Sequence, residues 1–251
     1  MNVLEKIKWH IQHPDAFGKK LLSRKLSKWF MGKSGIEIGG TTFLFTSTLP
    51  IYEMVKSLDG CNYSNNTVWE GKIKEGQNYT YHGDKKGFQY IAEASDLKDI
   101  ATESYDFLIA SHCLEHCANA LKTMQEWVRL LKPNGVILLV LPDKRYTFDH
   151  KRNITLFEHL LDDYNLSTDE KDLYHLEEIL ALHDLEQDPL AGDIEQFKAR
   201  SILNYENRCL HHHVFNFELL SELCKYFKLK IKFKTWVKPY HQIIIAQKSK
   251  V

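Results

Sequence analysis

Cysteine is scarce in this sequence, and the few residues present are scattered. A chain of 251 residues contains five cysteines, an odd number with no regular spacing. Domains held together by disulfides carry cysteine at a higher density and in even numbers. The sequence therefore excludes a disulfide framework. The five residues are Cys61, Cys113, Cys117, Cys209 and Cys224.

An excess of charge and long apolar runs are also missing. The 33 acidic residues balance 33 basic ones, so no overall field favours a nucleic-acid partner. No apolar run approaches the roughly 20 residues of a membrane span, and the N-terminus carries charges where a secretory signal would be apolar. These absences predict a soluble, cytoplasmic protein without integral membrane contact. The length of 251 residues fits one α/β domain or one domain with an insertion.

Tyr105–Pro142 is the most informative stretch that is present. Phe107–Ala110 and Val136–Leu141 are continuous apolar runs, which is typical of parallel strands covered on both faces. Between them, Ala118–Leu131 has apolar residues at helical spacing. A glycine corner, Gly35–Gly40, lies about seventy residues upstream. This order predicts a nucleotide-like cofactor at the carboxyl ends of parallel strands.

The remaining pattern predicts an α/β fold. We expect a Rossmann-like open sheet of about seven strands, mostly parallel, with an antiparallel C-terminal hairpin and helices on both faces. The hairpin strands are Leu229–Val237 and His241–Gln247. The other predicted elements are a strand at Ile36–Ile38, a helix at Leu49–Leu58 ending at Asp59-Gly60, a strand near Cys61–Tyr63 followed by loops to Gly87, a strand at Phe88–Ala92, and helices at Asp96–Ala101 and Glu218–Phe227.

The chain divides into three predicted parts. Residues 1–33 form two short helices, of which the second, Gly18–Gly32, is basic and amphipathic. Such a helix docks on an anionic membrane or packs on its own domain with its lysines in water, and the second alternative is favoured. Residues 34–142 and 214–251 form the core, and the charged, helical segment 143–213 is an insertion that caps it.

These motifs resemble the class I S-adenosylmethionine-dependent methyltransferases. GIEIGG stands where that family has its Glu/Asp-x-Gly-x-Gly corner, and YDFLIASHCLEH resembles its fourth strand and following loop. LLKPNGVILLVLP resembles the "LKPGG" turn. The resemblance covers roughly residues 33–142 and 214–247, and it implies S-adenosylmethionine as the cofactor.

The resemblance implies a set of cofactor-binding residues. The corner would surround the methionine end of the cofactor, and Glu37 would help hold its ammonium group. An acid after the third strand would read the adenine. Two departures stand out: Thr41 replaces a glycine, and Asn62 lies where the family places a ribose-binding acid. The implied set is Glu37, Gly39, Gly40, Thr41, Asn62, Glu93, Ala94, Asp96, Ser111 and His112.

The insertion and the loop after the fourth strand offer acceptor-binding and basic groups. An imidazole near the methyl group could act as general base. His112 is the first candidate and His212, from a run of three histidines, is the second. For each of these histidines, a structural role with hydrogen bonds to neighbouring groups is an equal or better alternative to a catalytic one. The expected acceptor-binding residues are Arg145, Tyr146, His211 and His213.

A metal site is not predicted. Cys113, Cys117 and Cys209 with nearby histidines supply ligand types, but the i, i+4 cysteine spacing fits no zinc motif. The leading function is methyl transfer from S-adenosylmethionine to a small-molecule or saccharide-like acceptor. A non-catalytic binding module on the same fold is one alternative. A nicotinamide-dependent oxidoreductase is weaker, because G-x-G-x-x-G is absent.

Overall fold

An eight-stranded sheet dominates the structure, a computed structural model that describes residues 14–250, with side chains from Leu22 onward. The strand order is β5-β6-β2-β1-β7-β8-β10-β9. A separate short hairpin pairs β3 with β4. The strands are β1 (Ser34–Ile38), β2 (Ser57–Asn62), β3 (Asn66–Thr67), β4 (Gly71–Lys72), β5 (Gly76–His82), β6 (Lys85–Ile91), β7 (Tyr105–Ser111), β8 (Leu131–Pro142), β9 (Leu229–Val237) and β10 (His241–Lys248).

The sheet confirms the predicted fold class. Strands β6, β2, β1, β7 and β8 run parallel to one another, and β9 and β10 form the antiparallel C-terminal hairpin. The apolar runs of β7 and β8 are buried because helices cover both faces of the sheet. The strand β5, which pairs antiparallel with β6, was not predicted.

Helices pack on both faces of this sheet. On one face α3 buries Leu121, Met124 and Trp127. On the other, α1 buries Trp29 and Phe30 in a second core cluster, which confirms that this helix packs on its own domain. The helices are α1 (Pro14–Phe30), α2 (Ile51–Met54), α3 (Ala120–Leu130), α4 (Phe157–Leu166), α5 (Leu176–Leu182), α6 (Ile194–Ile202), α7 (Asn204–Asn207) and α8 (Phe217–Tyr226).

The prediction of one helix at Leu49–Leu58 was wrong. The helix α2 is one turn long, and the second strand begins at Ser57, so Asp59-Gly60 lies inside a strand. The Asp59 carboxylate accepts hydrogen bonds from the backbone N–H of Phe88 and the hydroxyl of Tyr105, both at 2.8 Å. Tertiary contacts therefore hold this dipeptide extended, although alone it favours a turn.

Two further predictions of helices need correction. Asp96–Ala101 forms turns, because its backbone bonds to α3: the N–H of Leu97 donates to Glu126, and Arg129 donates to the carbonyl of Ile100. In the N-terminal segment the structure has a helix that begins at Pro14 and ends at Phe30. The first of the two helices predicted there lies at residues outside the described range, apart from its end.

The segment 143–213 is helical where the sequence predicted it to be. It contains α4 to α7, and a small apolar cluster holds α5 and α6 together through Ile179 and Phe197. Within residues 14–250, no helix combines the length and the apolarity needed to cross a bilayer.

Candidate active site

A cavity of about 420 Å³ opens at the carboxyl ends of β1, β2, β6 and β7. Its volume lies in the range of small-molecule sites. The core supplies one wall and the helical segment 143–213 the other. The cavity is lined by Ile38, Gly39, Gly40, Thr41, Thr42, Cys61, Asn62, Tyr63, Val68, Trp69, Ala92, Glu93, Ala94, Ser111, His112, Cys113, His116 and Cys117 from the core, and by Phe148, Glu170, Asp188, Arg200, Arg208, Cys209 and His211 from the segment.

The glycine corner lies at the floor of this cavity. Gly39 and Gly40 have φ angles of 100° and 91°, which side-chain-bearing residues rarely adopt. A Cβ atom at Gly40 would lie 2.7 Å from the carboxylate carbon of Glu70. Thr41, the departure from the family pattern, donates its backbone N–H to that carboxylate at 3.1 Å. The corner is thus shaped for close approach by a carboxylate.

Glu37 lies behind the corner and does not line the cavity. Its side chain is fully buried and accepts hydrogen bonds from the hydroxyls of Tyr52 (2.8 Å) and Tyr79 (2.7 Å). Burial raises the pKa of Glu37 to about 8, although both tyrosines oppose that shift. The Tyr52 hydroxyl also accepts the backbone N–H of Thr42 at 2.9 Å. Glu37 therefore reaches the corner through Tyr52, and its expected help in holding the ammonium group, directly or through water, stays a prediction.

Asn62, at the end of β2, lines the cavity beside an acid that the sequence did not reveal. Its amide nitrogen donates to Glu70 at 2.7 Å, and its amide oxygen accepts from the indole of Trp69 at 3.1 Å. The short β3–β4 hairpin brings both residues back over the strand end. A carboxylate thus lies near the position where the resembled family has one, but it comes from eight residues further along.

Of the two acids after the third strand, Glu93 lines the cavity and Asp96 does not. The Glu93 carboxylate pairs with Arg208 from the segment, with both oxygens 3.1 Å from one guanidinium nitrogen. Burial raises the pKa of Glu93, and Arg208 counteracts this. Asp96 is half exposed and pairs with Lys98. Its expected role at the cofactor is therefore not supported by its position.

Ser111 and His112, at the end of β7, both line the cavity as expected. His112 has a φ of 50°, a strained conformation for a residue with a side chain. Its Nε2 atom lies 2.9 Å from Nδ1 of His241, which fixes the ring. Nearby, Glu115 is fully buried, and its carboxylate makes no hydrogen bond within the described residues, although His112 Nδ1 lies 3.4 Å away.

A histidine–aspartate pair faces the cavity from the opposite wall. His211 Nδ1 lies 2.5 Å from the carboxylate of Asp149, which also accepts from Arg152 at 3.1 Å. Burial lowers the pKa of His211, but the Asp149 carboxylate outweighs it, so the pKa is raised. The pKa of Asp149 is lowered to about 2: burial raises it, and His211 and Arg152 more than compensate. This contact uses Nδ1 of His211, so the Nε2 atom of the same ring is not bonded to Asp149.

The comparisons with known proteins agree with this geometry. The family model described as a methyltransferase domain matches residues 36–139, which span the corner, the cavity floor and most of β8. The match assigns a methyltransferase domain to residues 36–139, in agreement with the class I S-adenosylmethionine-dependent family that the sequence motifs resemble. The cavity fits that cofactor, because the corner has no Cβ atoms where the methionine end would lie. No curated protein matches the sequence.

Solved structures of methyltransferases resemble the chain in fold. One from Mesorhizobium loti has a TM-score of 0.53 at 9% identity. The match covers 91% of this chain and 96% of the Mesorhizobium loti chain. One from Methanosarcina mazei has a TM-score of 0.48 at 15% identity, covering 90% and 98%. The 1,6-didemethyltoxoflavin-N1-methyltransferase of Burkholderia thailandensis has a TM-score of 0.46 at 10% identity, covering 98% and 86%. The first likeness supports the fold of the methyltransferase.

Four residues expected at the methyltransferase site lie elsewhere. His212 is buried and contacts the Asn204 amide at 3.0 Å, and burial lowers its pKa to about 3. His213 is buried beside α4. Arg145 pairs with Asp143 at the surface, and the exposed Tyr146 packs on Trp236. None of the four lines the cavity, so their positions do not support the expected contact with the acceptor or the transferred methyl group, which stays a prediction.

The cysteines and histidines of the methyltransferase do not assemble as one cluster. Cys113, Cys117 and Cys209 line the cavity as free thiols. Two other groups in the described residues have ligand atoms within 4.8 Å of one another. One is Glu115, His116 and His211, at the cavity wall. The other is His159, His175 and His213, away from it.

Proposed function

We propose that this methyltransferase transfers the methyl group of S-adenosylmethionine to an oxygen or nitrogen of a small, polar, saccharide-like acceptor. The observation that carries the proposal is the Asp149–His211 pair, which faces the same cavity as the glycine corner. A base is needed only where the acceptor carries a proton, so the pair favours a hydroxyl or amine.

The core wall would hold the cofactor. The backbone around Gly39, Gly40 and Thr41 would bind its methionine end. Tyr52, which donates to Glu37 and accepts the N–H of Thr42, would hold this corner in place. Asn62 would bind the ribose hydroxyls, with its amide held by Glu70, which itself does not line the cavity. Glu93 and Ala94 would meet the adenine. Bound there, S-adenosylmethionine supplies an electrophilic methyl group on a sulfonium.

His211 would act as the general base in place of His112 or His212. Its Nδ1 atom is held by Asp149, which leaves Nε2 to accept the proton of the acceptor as the new bond to the methyl carbon forms. The Asp149 carboxylate stabilises the imidazolium that results. Positioning in a water-poor site adds to this, and aligned reactants can contribute roughly 7–11 kcal/mol to the lowering of a barrier.

The segment 143–213 would bind the acceptor. Its cavity-lining residues include the Arg200–Asp188 pair (3.2 Å) and Glu170, whose pKa is raised to about 7 by burial. Phe148 and, from the core, Trp69 add aromatic faces. Paired charges beside aromatic rings suit a small polar molecule with an apolar face. These residues support the proposed acceptor class.

Calorimetric titration with S-adenosylmethionine and S-adenosylhomocysteine tests the cofactor site. We expect micromolar affinity for both, weakened roughly tenfold or more by Gly40→Ala, because a Cβ atom would displace Glu70 and strain the corner. Gly83→Ala is the matched control: it also has a positive φ (54°), but nothing lies within 4 Å of its Cβ position. Absence of binding to folded protein would favour the non-catalytic binding module instead.

Replacing Glu70 tests its proposed support of the ribose contact made by Asn62. We expect Glu70→Ala to weaken S-adenosylmethionine binding roughly tenfold, since hydrogen bonds to a charged group contribute about 1.5–3 kcal/mol. The exposed Glu75, in the same loop region, provides the control variant Glu75→Ala. Tighter binding by Glu70→Ala in the same calorimeter would show instead that Glu70 competes with the cofactor for the corner.

A further inference from the structure

Three histidines and one aspartate meet in the segment 143–213 away from the cavity. His159 and Asp163 lie one turn apart on α4, His175 precedes α5, and His213 follows α7. His159 Nε2 is 2.8 Å from His175 Nε2 and 3.4 Å from Asp163 Oδ2. His213 Nε2 is 3.7 Å from the same oxygen.

Three of the six separations among these ligand atoms lie near the edges of a tetrahedral metal site, although Asp163 does not lie within 4.8 Å of all three histidines. With metal–ligand bonds of about 2.0–2.1 Å, ligand atoms around zinc are separated by about 3.3–3.4 Å. The observed separations of 2.8, 3.4 and 3.7 Å bracket that value. One ring nitrogen of each of the three histidines lies within 4.8 Å of the other two.

One buried atom of this group also needs a partner. Asp163 Oδ2 makes no hydrogen bond within the described residues, and the side chain of Asp163 is only 10% exposed. His213, 1% exposed, has its Nε2 atom 3.2 Å from the carbonyl of Ala118, a contact that binding of a metal through Nε2 would replace. An unpaired buried carboxylate oxygen is costly. A cation at the centre would satisfy it.

We propose that His159, Asp163, His175 and His213 bind a structural Zn²⁺. Imidazole-rich sets with one carboxylate suit zinc better than magnesium or calcium, which prefer oxygen. Four protein ligands leave no open position, which is typical of structural sites. The carboxylate of Glu178 lies 3.4 Å from His175 Nδ1, a contact of the kind that orients metal-bound histidines.

The zinc would connect parts of the chain that build the acceptor side of the cavity. It would connect α4 and the start of α5 to the irregular segment after α7, which contains His211 two positions before His213. Glu170, which lines the cavity, lies between Asp163 and His175. Because a structural metal contributes folding free energy directly, its loss would loosen this wall. The proposal goes beyond the methyltransferase function and does not depend on it.

Metal analysis of untagged protein tests the site. We expect about one zinc per chain by mass spectrometry, and a melting temperature lowered by roughly 10 °C after chelation and restored by Zn²⁺ alone. Asp163→Asn should lose most of the zinc, while Asp162→Asn, its exposed neighbour on α4, should keep it. Chelated wild-type protein loaded with Co²⁺ should show the intense visible absorption of tetrahedral coordination, which needs no variant to fold.

Three outcomes would overturn the proposal. The first is wild-type protein that neither contains zinc nor takes up Zn²⁺ or Co²⁺. The second is equal zinc content in Asp163→Asn and Asp162→Asn. The third is zinc that survives Asp163→Asn but is lost in His211→Asn, which would place the metal at the group with Glu115 and His116. Calorimetric binding of S-adenosylmethionine, measured separately, reports on the proposed function.

Discussion

Asp149→Asn is expected to lower kcat/KM for methyl transfer by about 10²–10⁴-fold, the usual contribution of a positioned general base. The carboxylate accepts from His211 Nδ1 at 2.5 Å, so it selects the tautomer whose Nε2 atom is free to take a proton. An asparagine amide can present its NH₂ group to Nδ1 and stabilise the opposite tautomer. The imidazolium would also lose its counter-charge.

The measurement needs an acceptor, which wild-type protein identifies first. A panel of small hydroxyl- and amine-bearing compounds, sugars included, can be screened through the S-adenosylhomocysteine that each releases. The best acceptor is then used for full kinetics with wild type, Asp149→Asn and His211→Gln. The two variants should lose similar activity, because both remove the same base, while affinity for S-adenosylmethionine stays within a few-fold.

A second histidine–aspartate pair of the same segment supplies the matched control. His150 Nε2 lies 2.7 Å from the Asp184 carboxylate, and neither residue lines the cavity. Asp184→Asn therefore removes the same kind of contact at a place remote from the acceptor. Equal losses in Asp149→Asn and Asp184→Asn would mean that the contacts only stabilise the segment, and His211 would lose its assignment as the base.

The central part of the fold could be predicted because its signals are local. The apolar runs of β7 and β8 and the helical spacing of α3 each lie within one stretch of sequence. The second strand was not predicted correctly because its determinants are not local. Asp59-Gly60 favours a turn by itself, but Asp59 bonds to two other strands and Gly60 leaves room for the ring of Tyr79. Those partners lie 19 or more positions away.

In the site, too, residues with local sequence signals were predicted and residues positioned by distant contacts were not. Gly39, Gly40, Ser111 and His112 follow predicted strand ends and line the cavity. Glu70 was missed because the hairpin that positions it has strands of two residues, too short for any periodicity. Arg208 meets Glu93 across 115 positions of sequence, so no local pattern marks the pair.

The three consecutive histidines show what spacing alone cannot decide. His211 faces the cavity and Asp149, His212 contacts Asn204, and His213 joins the group with His159 and His175. The sequence predicted all three near the acceptor and gave His212 as the second candidate base, after His112. Neighbouring residues of an extended segment point in different directions, and only the packing of α4 and α7 around them determines which one reaches the cavity.

Glu37→Gln is expected to remove the part of the pH dependence of stability between about pH 5 and pH 8 that Glu37 contributes. Glu37 has a pKa of about 8 in the folded protein, raised from 4.5 mainly by complete burial. The native state thus binds this proton more tightly than the unfolded chain does. Its contribution is fully present below about pH 4.5, declines as the pH rises, and is lost above about pH 8, with a total of up to about 5 kcal/mol.

Glutamine suits this test because it keeps the shape and both contacts of the buried side chain. Its oxygen can accept from the hydroxyl of one tyrosine, and its amide can donate to the other, so neither Tyr52 nor Tyr79 is left unpaired. Urea unfolding at about pH 5.5 and about pH 8.5 gives the free energy of unfolding for each protein. Glu170, whose raised pKa acts in the same direction, contributes equally to both proteins and cancels in the difference.

The free energy of unfolding of Glu37→Gln should therefore be closest to that of wild type at about pH 5.5 and larger than that of wild type at about pH 8.5. Glu53→Gln, which neutralises an exposed acid on α2, should follow wild type at both pH values. Parallel pH profiles for wild type and Glu37→Gln would mean that the two tyrosine hydroxyls keep Glu37 ionised in the folded protein. The glycine corner would then rest on a buried charge, which would favour the ammonium group of the cofactor at short range.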